Sequence, residues 1–440
     1  MYLHGNSIIN DKGHLEIGGC DTLELANQFK TPLFVYDEKL IREKCRSYIR
    51  AFEKTGFRYQ VAYASKAFIS LAMCRLIAEE GLVLDVVSGG ELYTALKAGF
   101  PAEHIHFHGN NKTIEELHMA LEAKVGCFVV DNLYELELLH SLAEETSSQV
   151  KILLRLTPGI SAHTHEYIST GQDDSKFGFS INTGQALEAM KQALQMDHFE
   201  VLGVHSHIGS QIFETIGFIA AVEKLADFLF KLRDETGYEV KVLNVGGGFG
   251  IRYTEEDSPL VAEEYISAIT EEVRKQFTAV NYSLPEIWIE PGRSIVGDAA
   301  TTLYTIGSVK TLPGIRTYVS VDGGMTDNIR PALYQAQYEA MLANRGREEA
   351  SQVVSIAGKC CESGDMLIWD IKLPEVQSGD ILAVSCTGAY GYAMANNYNR
   401  IVRPGVVFVK DGQAELVVQR ESYDDLIRND RIPASMFTSK

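Results

Sequence analysis

The sequence predicts an α/β chain in which a (β/α)8 barrel of the TIM type is joined to a mostly antiparallel β domain. Two observations carry that prediction. Eight short apolar runs alternate with longer amphipathic segments between residues 59 and 290, and the strand-like runs after residue 300 follow one another without long helices between them. A third observation places the chemistry: almost every one of the eight runs ends, on its C-terminal side, in polar or glycine-rich residues that a packed core would not choose.

Taken in order, residues 1–31 hold short extended segments at 7–10 and 14–17, split by the turn Asp11-Lys12-Gly13. The eight candidate barrel strands are 59–63, 83–87, 105–108, 128–131, 152–156, 202–205, 240–245 and 287–290. Helix-like segments lie between them, such as 68–80, with Phe68, Ala72 and Leu76 on one face, and 262–277. Alternation of this kind points to parallel strands joined by right-handed crossovers. The strand ends read Lys66; Ser88-Gly89-Gly90-Glu91; Gly109-Asn110-Asn111-Lys112; Asp131-Asn132; Thr157-Pro158-Gly159; His205 to Gln211; Gly246-Gly247-Gly248-Phe249-Gly250; and Glu290-Pro291-Gly292-Arg293. Beyond residue 294 the strand-like runs are 302–309, 317–321, 353–357, 366–371 and 381–386, and then a hairpin, 406–410 with 414–419, across Asp411-Gly412.

Length fits this division. A chain of 440 residues is too long for one ordinary core, and a barrel uses ~250 residues as one domain. The expected domains are a barrel at 32–294 and a β-sandwich or β-barrel-like domain made of 1–31 and 295–440. The first 31 residues are assigned to the second domain because a lone strand pair cannot stabilise itself.

Composition narrows the function. With 45% hydrophobic and 22% charged residues the chain is an ordinary globular one, and its formal net charge of −19, with a pI near 5.1, would on balance be repelled by nucleic acid or an anionic membrane. Small-molecule chemistry is favoured. The N-terminal residues show no basic segment followed by an apolar one, and no apolar run reaches membrane-spanning length, so a cytoplasmic protein is expected. The seven cysteines are scattered and lack paired C-x-x-C spacing, which predicts reduced thiols. His163 and His165 with Glu166, and His205 with His207, are weighed as metal ligands, but without a third matched ligand no metal is expected.

Lys66 stands where an apolar strand gives way to a helix-like segment. A lysine there is ordinarily a surface residue; held among apolar neighbours, its amine becomes nucleophilic and able to form a Schiff base. The glycine run 246–250 does not match G-x-G-x-x-G, and no acidic residue sits where a ribose partner should, which excludes a dinucleotide fold. Bare amides in such a run form a nest for a phosphate, and Arg293 would add a bidentate cation to the same rim. Glu290 beside a pyridine ring would keep the ring nitrogen protonated. A lysine, a phosphate nest and a carboxylate are the three parts that pyridoxal phosphate requires.

Seven motifs in this order, Y-A-S-K-A (63–67), S-G-G-E (88–91), G-V-H-S-H-I-G-S-Q (203–211), L-N-V-G-G-G-F-G (243–250), E-P-G-R (290–293), D-G-G-M-T-D-N-I-R-P-A-L-Y (322–334) and C-E-S-G-D (361–365), make the chain resemble the fold-type III pyridoxal-phosphate decarboxylases, which have an alanine racemase-like architecture. H-E-Y-I-S-T-G (165–171), S-K-F-G (175–178) and C-E-S-G-D point to the diaminopimelate branch. The resemblance covers about Thr31 to Leu426.

That resemblance implies roles. Lys66 carries the cofactor as a Schiff base, His207 stacks on its ring, and Glu290 pairs with its ring nitrogen. Ser210, Gly247, Gly248, Gly292, Arg293 and Tyr390 surround the phosphate. Arg293, Arg330 and Tyr334 hold substrate, Glu362 receives its distal ammonium group, and Cys361 returns a proton to the substrate carbon from across a homodimer interface. The implied activity is decarboxylation of meso-2,6-diaminopimelate to L-lysine, the last step of lysine biosynthesis. Guanidinium and phenol suit the distal carboxylate of such a substrate and a carboxylate suits its ammonium. Each has a plainer alternative: Arg330 and Tyr334 a surface helix pair, Cys361 a buried small residue. The rival activities are decarboxylation of ornithine, arginine or carboxynorspermidine, against which Arg330 argues, and a non-catalytic regulator on the same fold, against which Lys66 and the glycine nest argue. Two positions depart from the family pattern: Lys359, where proline is expected, and Thr157, in place of asparagine.

Overall fold

The computed structural model describes residues 1–160 and 174–436. The segment with His163, His165, Glu166 and H-E-Y-I-S-T-G lies outside the described residues. The chain divides into two compact units, Leu40–Asp298 and Met1–Lys39 with Ala299–Lys440.

The first unit is a closed parallel barrel. Its strands are β1 Tyr59–Ala64, β2 Val83–Val86, β3 Ile105–Phe107, β4 Cys127–Val130, β5 Val150–Thr157, β6 Phe199–Ser206, β7 Val242–Asn244 and β8 Glu286–Ile289. Each pairs in parallel with the next, and β8 returns to β1 through Ile287↔Tyr59 and Ile289↔Val61, which removes every free edge. All eight strands expected from the sequence are present. A short strand, Phe179–Ser180, adds to β5.

The period of two along each strand builds the interior in layers. A lower layer is apolar: Cys127, Val129, Leu153, Leu202, Val242 and Trp288 form one buried cluster, and His106 stacks on Trp288 with ring centroids 4.4 Å apart. Two residues further along their chains, Trp288 is succeeded by Glu290, His106 by His108 and Val242 by Asn244, all buried. The apolar floor thus gives way to a polar layer at the C-terminal mouth.

The second unit contains a sheet whose main path runs Met366–Leu373, Gln352–Ala357, Arg316–Val321, Ala300–Leu312, Leu33–Asp37, Gly405–Lys410 and Gln413–Val418, with Ile381–Val384 also on Ala300–Leu312 and Ala340–Leu342 on Ile381–Val384. Its pairings are antiparallel except Arg316–Val321 with Gln352–Ala357 and Leu33–Asp37 with Gly405–Lys410. The hairpin turns through Asp411 and Gly412, at φ 49° and 78°, the left-handed pair that a two-residue turn requires.

Leu33–Asp37 lies inside the range 32–294 that the sequence assigns to the barrel, yet its hydrogen bonds go to Ala300–Leu312 and Gly405–Lys410. The N-terminal strands Ile8–Ile9, Leu15–Ile17 and Cys20–Asp21 form a small antiparallel sheet, and Leu15, Ile17 and Leu25 share one buried cluster with Leu33, Val35, Leu303, Val407 and Val409.

Candidate active site

The barrel mouth gathers its polar side chains around Glu290. The residue follows β8 directly and is 7% exposed. His205 from β6 places Nε2 3.0 Å from Oε2, Asn244 at the end of β7 donates through Nδ2 to Oε1 at 2.6 Å, and His108, after β3, places Nε2 3.0 Å from Oε1. Burial alone would raise this carboxyl. The imidazoles of His108 and His205 overcome that and hold it well below the usual carboxylate range. A carboxylate accepts about four hydrogen bonds, so the bonds from Asn244 and His205, with His108 as an ion-pair contact at Oε1, leave room for another donor at Oε2.

Asp85, on β2, lies 3.6 Å from His108 Nε2. Burial pushes its carboxyl up to about 6; His108 opposes this and Glu290 adds to it. His108, His205 and Glu290 form a donor set that could ligate a metal ion. Their 3.0 Å contacts are hydrogen-bonding distances within the set itself.

Asn244 also fixes the glycine run. Its Oδ1 accepts from Gly246 N at 2.9 Å, while its amide holds Glu290, so one side chain couples that carboxylate to the glycine run. A Cβ on Gly247 would lie 2.0 Å from Glu290 O, which makes glycine obligatory at that crossing. Gly247 N donates to His207 Nδ1 at 3.3 Å, which puts the ring proton of a neutral His207 on Nε2. Burial, and then the Lys66 ammonium, drive the His207 imidazole well below its ordinary range. Arg293, 6% exposed, donates from Nε and Nη2 to Ser210 Oγ at 3.3 and 2.9 Å, and from Nη1 to Tyr253 OH at 2.5 Å. Gly292 precedes it, with Ala64 Cβ 3.0 Å from where its own Cβ would be.

Lys66 sits in a single 3₁₀ turn, Ser65–Ala67, and is exposed at the mouth between buried neighbours. Its turn is tied down by Glu91, which accepts from Ser65 Oγ at 2.9 Å and Val87 N at 2.7 Å. Burial raises the Glu91 carboxyl, while the Lys66 charge acts to lower Glu91 and Asp85 alike. These groups fit pyridoxal phosphate: an accessible amine, a cation with a hydroxyl beside a side-chain-free glycine run, and an ionised carboxylate with one acceptor site to spare.

Not every polar strand end serves this mouth. Ser88 and Asn132 cap the helices Gly89–Lys97 and Leu133–Glu145. Lys112 is buried, donating to Glu135 Oε1 at 2.6 Å and to Gly109 O and Val129 O at 2.9 Å each, a staple between neighbouring strand ends. Thr157 donates to Phe177 O at 2.6 Å.

The remaining candidates belong to the second unit. Arg330 opens the short helix Arg330–Tyr334 and is 7% exposed, so the surface-pair alternative fails for it; Nη1 donates to Tyr338 OH at 2.6 Å. Tyr334 lies one turn on and is half-buried. Cys361 and Glu362 are exposed, on the loop between Gln352–Ala357 and Met366–Leu373, which removes the buried-cysteine alternative. Cys361 N donates to Asn399 Oδ1 at 2.8 Å. Tyr390 is half-buried at φ 60°. Lys359 N donates to Gly323 O at 2.9 Å, a bond that a proline there could not make.

Sequence reasoning gave no role to His108, Asp85, Asn244, Glu91 or Tyr253. Asn244 was visible inside L-N-V-G-G-G-F-G. His108 and Asp85 could have been found as charged or polar residues in otherwise apolar strand runs.

Comparison with known proteins places this site in context. The profile of a family described as "Pyridoxal-dependent decarboxylase, pyridoxal binding domain" matches residues 38–297. A protein of Bacillus subtilis (strain 168) described as diaminopimelate decarboxylase is 63% identical over 430 residues, covering 98% of each chain. One of the same description from Halalkalibacterium halodurans is 62% identical, also over 430 residues and 98% of each chain. The crystal structure of diaminopimelate decarboxylase from M. jannaschii in complex with L-lysine superposes with a TM-score of 0.93 at 39% identity, over 99% of this chain and 100% of that one.

Proposed function

We infer that this chain, which belongs to the diaminopimelate decarboxylase family of the pyridoxal-dependent decarboxylases, converts meso-2,6-diaminopimelate to L-lysine and carbon dioxide with pyridoxal 5′-phosphate. The observation that carries the reading is the Glu290 cluster: a buried carboxylate kept ionised by two imidazoles and hydrogen-bonded by an amide, in the same barrel mouth as an exposed lysine and a glycine-lined cation.

Lys66 would hold the cofactor's carbonyl carbon, Arg293, Ser210, Gly247, Gly248 and Gly292 its phosphate, with Tyr390 by family resemblance, and His207 its ring face. When bound, the cofactor supplies a carbonyl that captures the substrate amine and a pyridinium that accepts the electron pair left by departing carbon dioxide. Glu290 would offer its remaining acceptor site at Oε2 as a charge-assisted partner for a ring N–H. Because His108, His205 and Asn244 hold that carboxylate before substrate arrives, no reorganisation is needed as charge develops. A neutral His207 adds no charge against the ring, and accepting from Gly247 N at Nδ1 fixes its tautomer.

The chain's second unit supplies what the substrate's far end requires. Arg330 and Tyr334 are a guanidinium and a phenol for a carboxylate, and Glu362 is a carboxylate for an ammonium group; the polyamine precursors lack that distal carboxylate. Cys361 is the thiol that delivers a proton to the substrate carbon, and it is exposed in the single chain, as a group given to a partner's site must be. We therefore read the working form as a homodimer. All seven cysteines are free, which suits a reducing cytoplasm, and no described helix is long and apolar enough to cross a membrane.

Purified protein supplied with pyridoxal phosphate should release one lysine and one carbon dioxide per meso-2,6-diaminopimelate, and leave ornithine and arginine untouched. Cofactor binding without lysine release would remove the substrate assignment.

A further inference from the structure

Two loops of the second unit meet at one buried carboxylate that has no part in the mechanism above, and a third loop bonds to both of them. Asp365, 3% exposed, uses one oxygen for each of two loops. Its Oδ1 accepts from Met325 N at 2.6 Å, on the segment that leads into Arg330, and its Oδ2 accepts from Cys360 N at 2.8 Å, next to Cys361. The third loop contributes Asn399, whose Oδ1 accepts from Cys361 N, and Asn396 N, which donates to Thr326 O at 2.8 Å. Around this point Lys359 N reaches Gly323 O, and the turn 362–365 closes by Asp365 N donating to Glu362 O at 3.1 Å.

Two glycines make room for the carboxylate. A Cβ on Gly324 would lie 2.5 Å from Asp365 Oδ2, and one on Gly358 would lie 2.1 Å from the same atom, so no other residue fits at either position without moving Asp365. The sequence has small residues on both loops where the carboxylate passes between them.

We propose that Asp365 and Asn399 are positioning residues for the substrate end of the site: Asp365 bridges the loop carrying Cys361 and Glu362 to the segment carrying Arg330, and Asn399 sets the backbone of Cys361. This rests on the reading that Arg330, Cys361 and Glu362 act on substrate. The physical basis is that exposed side chains such as Cys361 and Glu362 have no packing of their own to orient them. Their backbone must supply the orientation, and a buried carboxylate accepting one N–H from each side is a strong way to fix it. Asparagine at 365 keeps one acceptor but turns an NH2 toward the other N–H, so one loop is released while the volume is unchanged.

The test is made on the cofactor-loaded protein with two readouts, steady-state kinetics and the rate of Cys361 alkylation by iodoacetamide, localised by fragment-ion sequencing that separates Cys361 from the adjacent Cys360. Five of the other cysteines are buried, and the sixth, Cys360, is followed separately by its own fragment ions, because its thiol is pushed up to about 12 by burial and by the Asp365 charge that the variant removes. In Asp365→Asn, kcat/KM is expected to fall roughly ten- to a hundredfold, with KM raised as well as kcat lowered, and Cys361 alkylation to change several-fold while cofactor absorbance is retained. Should that variant not fold, Asn399→Gly removes the acceptor at a residue whose φ is 52°, and Asn399→Asp keeps it. Loss of kcat and altered alkylation in the glycine variant, with both restored in the aspartate variant, supports the proposal. Wild-type kinetics and alkylation in Asp365→Asn, or in Asn399→Gly, overturn it even if the melting temperature drops. Failure of the wild type to release lysine would instead remove the substrate assignment and leave the alkylation comparison standing.

Discussion

Glu290 in the barrel and Asp327 in the second unit are both buried carboxyls, 7% and 1% exposed, and they are driven in opposite directions. Burial disfavours the charged form of each. At Glu290 the imidazoles of His108 and His205 reverse that effect. At Asp327 the hydrogen bonds from Tyr304 OH and Gly324 N oppose it, but Asp365 and Asp322 add their negative charge, and the carboxyl is pushed up to about 7. Equal burial with unequal neighbours shows that flanking charges, rather than depth, decide which carboxylate is ready to stabilise a cation.

The largest effect expected from breaking the barrel side is at Lys66. Lys66→Ala should abolish the absorbance of covalently held cofactor and reduce turnover by about a thousandfold or more, since no other lysine lies in the Ser65–Ala67 turn. Cys361→Ala should be impaired too, but with normal cofactor absorbance, because its residue belongs to the other unit. If sites are completed across a homodimer as proposed, mixing the two inactive variants after verified subunit exchange gives heterodimers with one of two sites complete, and about a quarter of wild-type activity returns in a one-to-one mixture. No recovery would show that each site is made by a single chain.

A smaller loss tests the electrostatic half of the comparison. Glu290→Gln keeps the shape and one acceptor but removes the charge that His108 and His205 are arranged around, and kcat should fall about a hundred- to a thousandfold with cofactor still bound. If kcat falls less than a few-fold, the buried cluster is structural and the comparison with Asp327 loses its functional meaning.

The two regions were also unequally legible in the sequence. The eight barrel strands and their polar ends could be read because an apolar run that stops in lysine, glycine or glutamate is a local pattern. Leu33–Asp37 could not be placed: it is an apolar run followed by the amphipathic helix Glu38–Glu53, and so looks like one more barrel unit. Only its pairing with strands some 270 and 370 residues away assigns it elsewhere. The same distance hid His108, Asp85 and Asp365, whose roles depend on partners brought in from other strands or loops. Ser88, Lys112 and Asn132 erred in the other direction, since caps and staples use the same residue types as binding sites.

The smallest effect concerns stability and has a defined sign. The Asp327 carboxyl, ordinarily near 3.8, is pushed up to about 7 in the folded chain, by burial first. Between these values the folded state holds a proton that the unfolded state has lost, so raising the pH from about 4 to 7 drains stability from the second unit. Glu290 has the opposite slope: with its folded carboxyl held low, its contribution is present above the ordinary glutamate range and is lost as the pH falls through the folded value. Asp327→Asn cannot ionise, yet it retains an acceptor for Gly324 N and a side chain of the same size. Its melting temperature should therefore lie closest to wild type near pH 4 and gain on it steadily toward pH 7, where the wild-type carboxyl begins to ionise without a cation to receive it. Melting curves of the two proteins at half-unit steps would show this. Parallel curves across that window would mean that Asp327 is already ionised in the folded chain, and that the contrast with Glu290 is one of position and not of charge.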